Sequence, residues 1–306
     1  MNDRVVLATY AALPLLDPDD RLLAQALRSR GARVAAAVWD DPGADWRATA
    51  CVLRSTWDYP RKVAAFSRWI DAVAATTTLW NPAHVVRWNM HKFYLRELER
   101  RGVPIVPTAW VGRGDDVDLG ALMRGRGWAE AVVKPSHGAG TAGVRRSGTT
   151  RASIARAQAH ARALAAEQDV LVQRYMPSVD VQRERALVFI DGAFSHAVAK
   201  TAFQALLPAG EAGESPADAT AAEIDVARAA LDAAPGPLLY ARVDLVADER
   251  SLPVLMELEL IEPSLFFAMR PAAAERLADA LLRRIGGPPG PNRHGHRRPA
   301  SKGAGT

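Results

Sequence analysis

Apolar and polar positions follow two alternating rhythms over the first 80 residues. Short apolar runs at 5–8, 34–38, 51–53 and 79–80 have the length of buried strands. Between them Leu22, Leu23, Ala26 and Leu27 recur at helical spacing, after Asp17-Pro18 (an N-cap and a first-turn proline) and before Gly31. Val63, Phe66, Ile70 and Val73 do the same after Pro60. Strands alternating with helices predict a parallel sheet covered on both faces.

Past residue 89 the rhythm changes. It predicts a helix over 92–101, strands at 105–108 and 130–134, a glycine-rich loop, a strand at 144–146, an Ala-rich helix over 151–167 and a buried strand at 170–174. Segments 187–190 and 193–198 read as a hairpin, because Asp191-Gly192 suits the positive-φ positions of a type I′ turn. Residues 209–219 read as a mobile loop, followed by a helix over 220–233, strands at 239–247 and 253–260, and a helix over 272–285. No internal repeat is present.

Composition narrows the function class. Of 306 residues, 49% are hydrophobic and 24% charged, ordinary for a globular protein. A formal charge of +5 suits an anionic partner, either nucleic acid or a small nucleotide-like substrate. A nucleic-acid binder would interleave basic and aromatic residues on one face. Here the arginines are scattered over helices, so no nucleic-acid partner is expected. The basic tail, 287–306 with Arg293, Arg297, Arg298 and Lys302, reads as disordered and solubilising. The single cysteine, Cys51, allows neither an internal disulfide nor a zinc pattern and fits a reducing cytoplasm. No apolar run approaches the roughly 20 residues of a membrane helix, so no membrane association is expected. The apolar start, broken by Pro14 and followed by Asp17-Pro18-Asp19-Asp20, reads as a first strand and loop rather than a leader.

Two stretches carry candidate chemistry. In VVKPSHGAGTAGVRR, 132–146, an apolar strand delivers Lys134 to its end, and a loop of Gly138, Gly140 and Gly143 with Ser136 and Thr141 follows. Glycines let backbone N–H groups approach an anion, and the hydroxyls add donors, which makes a phosphate cover. The lysine precedes the glycines, so this is not a Walker A loop; the alternative is a plain Gly-rich hairpin. In ARVDLV, 241–246, and PVLMELEL, 253–260, alternation puts Arg242 and Asp244 on one face and Glu257 and Glu259 on one face, opposite apolar residues. Paired as a hairpin, the strands gather three carboxylates beside one arginine, a cluster a divalent cation would neutralise. The alternative is an exposed face laced with ion pairs. QRYMPSV, 173–179, could offer an apolar wall to a purine or simply be core.

In combination and order, these motifs resemble the ATP-grasp superfamily over 89–263. RSTWDY (54–59), NPAHVVRWNMHKFYL (81–95), GVPIVPT (102–108), SHAVAK (195–200) and ELELIEP (257–263) are similar to the branch that includes the O-ureido-serine cyclo-ligase of cycloserine biosynthesis. Glutathione synthetase and D-alanine–D-alanine ligase are more distant members.

The resemblance implies an α/β domain over 1–88, a small ATP-grasp subdomain over 89–174, a central subdomain with the metal site over 175–286, and the tail. It implies an ATP-dependent carboxylate–nitrogen ligase working through an acyl-phosphate, either a cyclo-ligase on a substrate such as O-ureido-D-serine or an intermolecular amide or peptide ligase, as a monomer or homodimer. A nucleotide-binding protein without catalysis would not need the full carboxylate set and Arg242.

The implied roles are as follows. Lys92 and Lys134 hold the ATP α- and β-phosphates, and the loop with Ser136, Gly138, Gly140 and Thr141 closes over the β- and γ-phosphates. Gln173, Tyr175 and Met176 border adenine, Glu184 accepts from the ribose, and Lys200 reaches toward the phosphates. Asp244, Glu257 and Glu259 bind two Mg²⁺, with Mn²⁺ as the substitute, and Arg242 neutralises the transferred phosphoryl group and the tetrahedral intermediate. Many relatives carry Asn at the position of Glu259, and the residues before Glu184 lack an expected glycine. Arg54, Ser55 and Thr56, ending a strand of the first domain, are candidate substrate contacts; the alternative for Arg54 is a structural ion pair. His137 and His196 read as packing.

Overall fold

The computed structural model describes residues 3–138, 140–201 and 213–286. The expectations for the 287–306 tail lie outside them.

The first sheet is built from β1 (Arg4–Thr9), β2 (Arg33–Val38), β3 (Ala50–Ser55) and β4 (Thr78–Trp80), in the order β2-β1-β3-β4 with every pair parallel. Alternate residues of its strands face opposite cores. Val5, Leu7, Ala50 and Val52 join one apolar cluster, and Ala8, Cys51 and Leu53 another. Helix α1 (Pro18–Ser29) begins where Asp17 accepts from the Asp19 N–H, and its Leu23 and Leu27 pack on the first face. Helix α2 (Val63–Ala74) covers the second with Phe66, Ile70 and Val73.

The helix expected over 92–101 is α4 (Tyr94–Arg100), and a further helix, α3 (Ala83–Met90), precedes it. The chain leaves the helical path between them, and the Lys92 N–H instead donates to the Ser136 carbonyl at 2.8 Å. Lys92 is thereby tied to the glycine-rich loop.

The second sheet is antiparallel, β5-β8-β6-β7, from β5 (Thr108–Val111), β6 (Ala131–Pro135), β7 (Arg145–Ser147) and β8 (Val170–Arg174). Short α5 (Leu119–Gly125), capped by Asp118, and long α6 (Arg151–Glu167) cover it. The strand expected at 105–108 starts at its last residue. Residues 104–106 are diverted to Leu255, whose N–H donates to the Pro104 carbonyl at 2.8 Å while Val106 N–H donates to its carbonyl at 2.9 Å.

The third sheet, β11-β10-β9-β12-β13, is also antiparallel. It comprises β9 (Glu184–Ile190), β10 (Ala193–Lys200), β11 (Glu214–Ala217), β12 (Tyr240–Ala247) and β13 (Pro253–Glu259), with α7 (Ser178–Gln182) before it and α8 (Ala221–Asp232) between β11 and β12. Asp191 and Gly192 turn the β9–β10 hairpin at φ of 53° and 77°. Where a mobile loop was expected over 209–219, residues Glu214–Ala217 form an edge strand, and Pro216 sits on that edge. Residues 202–212 lie outside the described residues. The last helix, α9 (Pro271–Gly286), returns to α1: Leu277 and Leu281 share its apolar cluster, and Arg30 bonds Asp279 at 2.6 Å.

Candidate active site

A cavity of about 460 Å³ opens where the three sheets meet. Its floor is the β12–β13 hairpin. The register sets Arg242 opposite Glu259 and Asp244 opposite Glu257, so all four side chains share the cavity face, while Val243, Leu245 and Leu258 fill the core behind. A register shift follows Asp244, ending this regular stretch. The neighbouring β9–β10 pair adds Glu184 and Lys200, directly opposite each other. The second sheet supplies the facing wall with Lys134, and Lys92 projects from the break between α3 and α4.

Salt bridges knit these groups together. Arg242 grips Asp244 through Nε and Nη2, both at 2.9 Å, and also bonds Glu259. Lys200 donates to Asp244 Oδ2 at 3.0 Å and to Glu184. Lys92 pairs with Glu257. The carboxylates that sequence reasoning set beside one arginine are therefore also matched by lysines from two other parts of the chain, Lys92 and Lys200. Among the described residues, no three ligating side chains stand close enough to share one ion. The donor set nonetheless fits Mg²⁺. Three hard carboxylate groups face one cavity, and the lysines paired with Asp244 and Glu257 are ones that a polyphosphate would draw away.

Burial and charge set the protonation states. Burial would raise Asp244, but Arg242 and Lys200 hold it well below the usual carboxylate range. Burial against Lys92 and Lys134 leaves Glu257 lowered, whereas burial outweighs Arg242 at Glu259 and raises it. Burial also lowers Lys134. Glu184 is pushed up to about 7 by burial, against the pull of Lys200.

A carboxylate must be ionised to accept from two ribose hydroxyls. If Glu184 holds the ribose, apparent ATP affinity is expected to strengthen as pH rises through about 7 and to weaken below it. In Glu184→Gln that slope between pH 6 and 8 should vanish. KM for ATP measured across the range checks both; an unchanged slope in the variant would remove Glu184 from this role.

The glycine-rich loop contributes Gly138, Gly140 and Thr141 to the cavity lining. Ser136 does not face it. Its hydroxyl is buried and donates to Gln168 Oε1 at 3.2 Å. At the far end Tyr175 and Met176 join Val106, Val132 and Val246 in an apolar cluster between two sheets. Gln173 lies beside it, donating to Thr108 Oγ1 at 3.2 Å. Arg183, just before Glu184, has φ of 64°, so the missing glycine is replaced by an arginine held in a glycine conformation and bonded to Ser215 at 2.8 Å.

Arg54, Ser55 and Thr56 stand behind the cavity wall. Arg54 is 1% exposed; it donates to Asp20 Oδ1 at 2.8 Å and lies 5.1 Å from the centre of the Tyr240 ring. Ser55 bonds the other Asp20 oxygen. Thr56 is buried with no hydroxyl partner among the described residues. The neighbours that do line the cavity are Trp57, Tyr59, Glu262, Ser264 and Phe266, none of which the sequence singled out.

The loop after β13 is fixed one carbonyl at a time. Asn81 donates to Leu260 O at 2.8 Å, Tyr240 OH to Ile261 O at 2.8 Å, and Trp57 Nε1 to Glu262 O at 3.1 Å. Arg54 donates to Pro263 O at 2.7 Å, Arg242 to Ser264 O at 3.3 Å, and His196 Nε2 to Leu265 O at 3.1 Å. His196 is thus an anchor, and burial pushes it down to about 4. Burial, with His91 alongside, does the same to His137.

Two antiparallel sheets closing on a cavity of lysines and carboxylates, behind a parallel α/β sheet, make this an ATP-grasp protein. The same fold is seen in a RimK domain ATP-grasp protein from Sphaerobacter thermophilus (TM-score 0.68, 18% identity, covering 90% of this chain and 98% of that one). D-alanine–D-alanine ligase from Bacillus anthracis shares it too (TM-score 0.66, 14% identity, 92% and 97%). Within that class, the family model for the N-terminal domain of D-cycloserine synthetase DcsG matches residues 5–81. The cycloserine biosynthesis protein DcsG of Streptomyces lavendulae is 36% identical over 300 residues, 92% of this chain and 98% of that protein. The crystal structure of D-cycloserine synthetase DcsG matches with a TM-score of 0.84 at 34% identity, over 92% of this chain and 99% of that one. The chain belongs to the DcsG family of ATP-grasp ligases, enzymes that use ATP to form C–N bonds and release ADP and phosphate. No helix among the described residues is long and apolar enough to cross a membrane.

Proposed function

We propose that this enzyme serves antibiotic biosynthesis by closing the ring of cycloserine from O-ureido-D-serine. The carboxylate of the substrate attacks the γ-phosphorus of ATP and becomes an acyl-phosphate. The oxygen-bound nitrogen then attacks the acyl carbon, phosphate leaves, and the carbamoyl group departs with one water as ammonia and carbon dioxide. The observation that carries this reading is the face shared by Arg242, Asp244, Glu257 and Glu259, with Lys92 and Lys134 across the cavity.

In this reading Lys92 and Lys134 turn from carboxylate surroundings to the phosphates, which frees Glu257. Asp244, Glu257 and Glu259 would then hold Mg²⁺, which supplies charge neutralisation and orientation of the phosphates. Arg242, charged at every working pH, stays beside the reacting centre and stabilises the oxyanion of the tetrahedral intermediate. The glycine-rich loop keeps water from the acyl-phosphate.

Phosphate release from ATP and Mg²⁺, with products read by mass spectrometry, tests the proposal. Release with O-ureido-D-serine and formation of cycloserine is the expected result. Release only with a pair of amino acids would transfer the chemistry to linear amide synthesis. No release with any amino acid, despite ATP binding, would overturn ligation.

A further inference from the structure

We propose that Glu262 is the subsite for the α-ammonium group of the amino-acid substrate, an inference that rests on the ring-closing reading above. Four other carboxylates of the cavity each hold a lysine or arginine: Glu184 with Lys200, Asp244 with Arg242 and Lys200, Glu257 with Lys92, Glu259 with Arg242; a fifth, Glu214, is half-buried on the edge strand β11. Glu262 is 8% exposed and lines the same cavity; its carboxyl accepts from its own backbone N–H and has no ion pair among the described residues. A carboxyl withdrawn from water without a cation is costly unless a ligand brings one. A small ammonium ion is the complement that this geometry leaves open.

The position fits the substrate as well as the charge does. In an amino acid the ammonium sits on the carbon next to the carboxylate. An anchor for it must therefore lie within a few ångströms of the groups that handle the phosphoryl transfer. Glu262 lines the same cavity as Glu259, Lys92 and Glu257. Burial and the two glutamates outweigh Lys92 and raise the Glu262 carboxyl above the usual carboxylate range.

The backbone around Glu262 is built for positioning. The carbonyls of Ile261, Glu262, Pro263 and Ser264 are each held by a different side chain, from Tyr240, Trp57, Arg54 and Arg242. All four hydrogen bonds go to main chain, so Glu262 sits on a fixed loop while its carboxyl is engaged by no other side chain among the described residues. A carboxyl with a purely structural purpose would itself take part in such a network. Trp57 and Arg54 are positioning residues in this scheme, which gives the RSTWDY stretch a role through the loop.

The test is steady-state kinetics of the full-length wild type, Glu262→Gln and Glu262→Asp. Each is assayed with O-ureido-D-serine and with its analogue lacking the α-amino group, 3-(ureidooxy)propionate. Glu262→Gln should raise KM for O-ureido-D-serine at least about 30-fold, with a much smaller fall in kcat and no change in KM for ATP. Glu262→Asp should fall between. Wild type should handle the deaminated analogue as poorly as Glu262→Gln does, and the variant should be no worse than wild type on it.

An unchanged KM for O-ureido-D-serine in Glu262→Gln, or a loss confined to kcat, would overturn the subsite while leaving the ring-closing reading intact. An equal KM penalty on the analogue would also overturn it, since that marks general damage to the pocket. A wild-type enzyme inert toward O-ureido-D-serine would overturn both.

Discussion

Replacing Arg242 by alanine is expected to lower turnover about 10²–10³-fold while changing nucleotide affinity by less than about fivefold. The asymmetry follows from where the guanidinium sits. It is 6% exposed, gripped by Asp244 on its own strand and Glu259 on the next, so its charge is fixed in place before substrate arrives. A preorganised donor of this kind matters most when negative charge develops, in the transfer of the phosphoryl group and in the tetrahedral intermediate. In the proposed reading Lys92 and Lys134, which stand on other elements, would continue to hold the nucleotide. Arg242→Lys should recover part of the loss but not the two-pronged grip on Asp244, because an ammonium has no fork. Single-turnover rates alongside calorimetric titration with a non-hydrolysable ATP analogue separate the two effects. An Arg242→Ala enzyme with normal turnover would remove the residue from the chemistry.

The second large effect is on stability. Asp20→Ala is expected to cost about 3–5 kcal/mol, because it strands the Arg54 guanidinium, 1% exposed, without its counter-ion. It also leaves Ser55 without its partner. For a chain of this size the loss corresponds to a fall in Tm on the order of 10 °C. Thermal unfolding with and without saturating nucleotide checks it. Replacing Asp20 and Arg54 together by leucines should recover much of the stability, since two apolar side chains need no pairing. It should not recover activity fully, because the Pro263 carbonyl would have lost its donor. A single variant as stable as wild type would mean that Arg54 has water available, contrary to its burial.

Arg54 also illustrates where sequence reading stops. The β12–β13 floor was legible because it is local: alternation puts Arg242 and Asp244 on one face, and the short connection to Glu257 and Glu259 leaves a hairpin as the natural pairing. The lysine before a glycine run was legible for the same reason. What decides the role of Arg54 is Asp20, 34 positions earlier on a helix, and Pro263, 209 positions later. No spacing rule reports such distances. Ser136 was counted by residue type as a loop donor, yet its hydroxyl turns toward Gln168 at the end of another element. The carboxylate cluster seemed short of cations because Lys92 and Lys200 arrive from elsewhere in the chain. Among the elements, α5 is only seven residues long with glycine at two of them, and β11 contains Ser and Pro, so neither carries a periodic signal. Glu262 was passed over because Leu260 and Ile261 separate it from the alternating ELE run that drew attention.

The pinned loop from Leu260 to Leu265 bears on how substrate choice could be re-engineered. Its anchors are Asn81, Arg54 and Trp57 from the first 81 residues, Tyr240 and Arg242 from one central strand, and His196 from another. Grafting these six residues alone into another ATP-grasp scaffold would leave the carbonyls without matching donors, and the loop would relax into a shape of its own. The portable unit is the loop together with its distant anchors, so a selectivity swap calls for a coordinated set of replacements scattered across the chain.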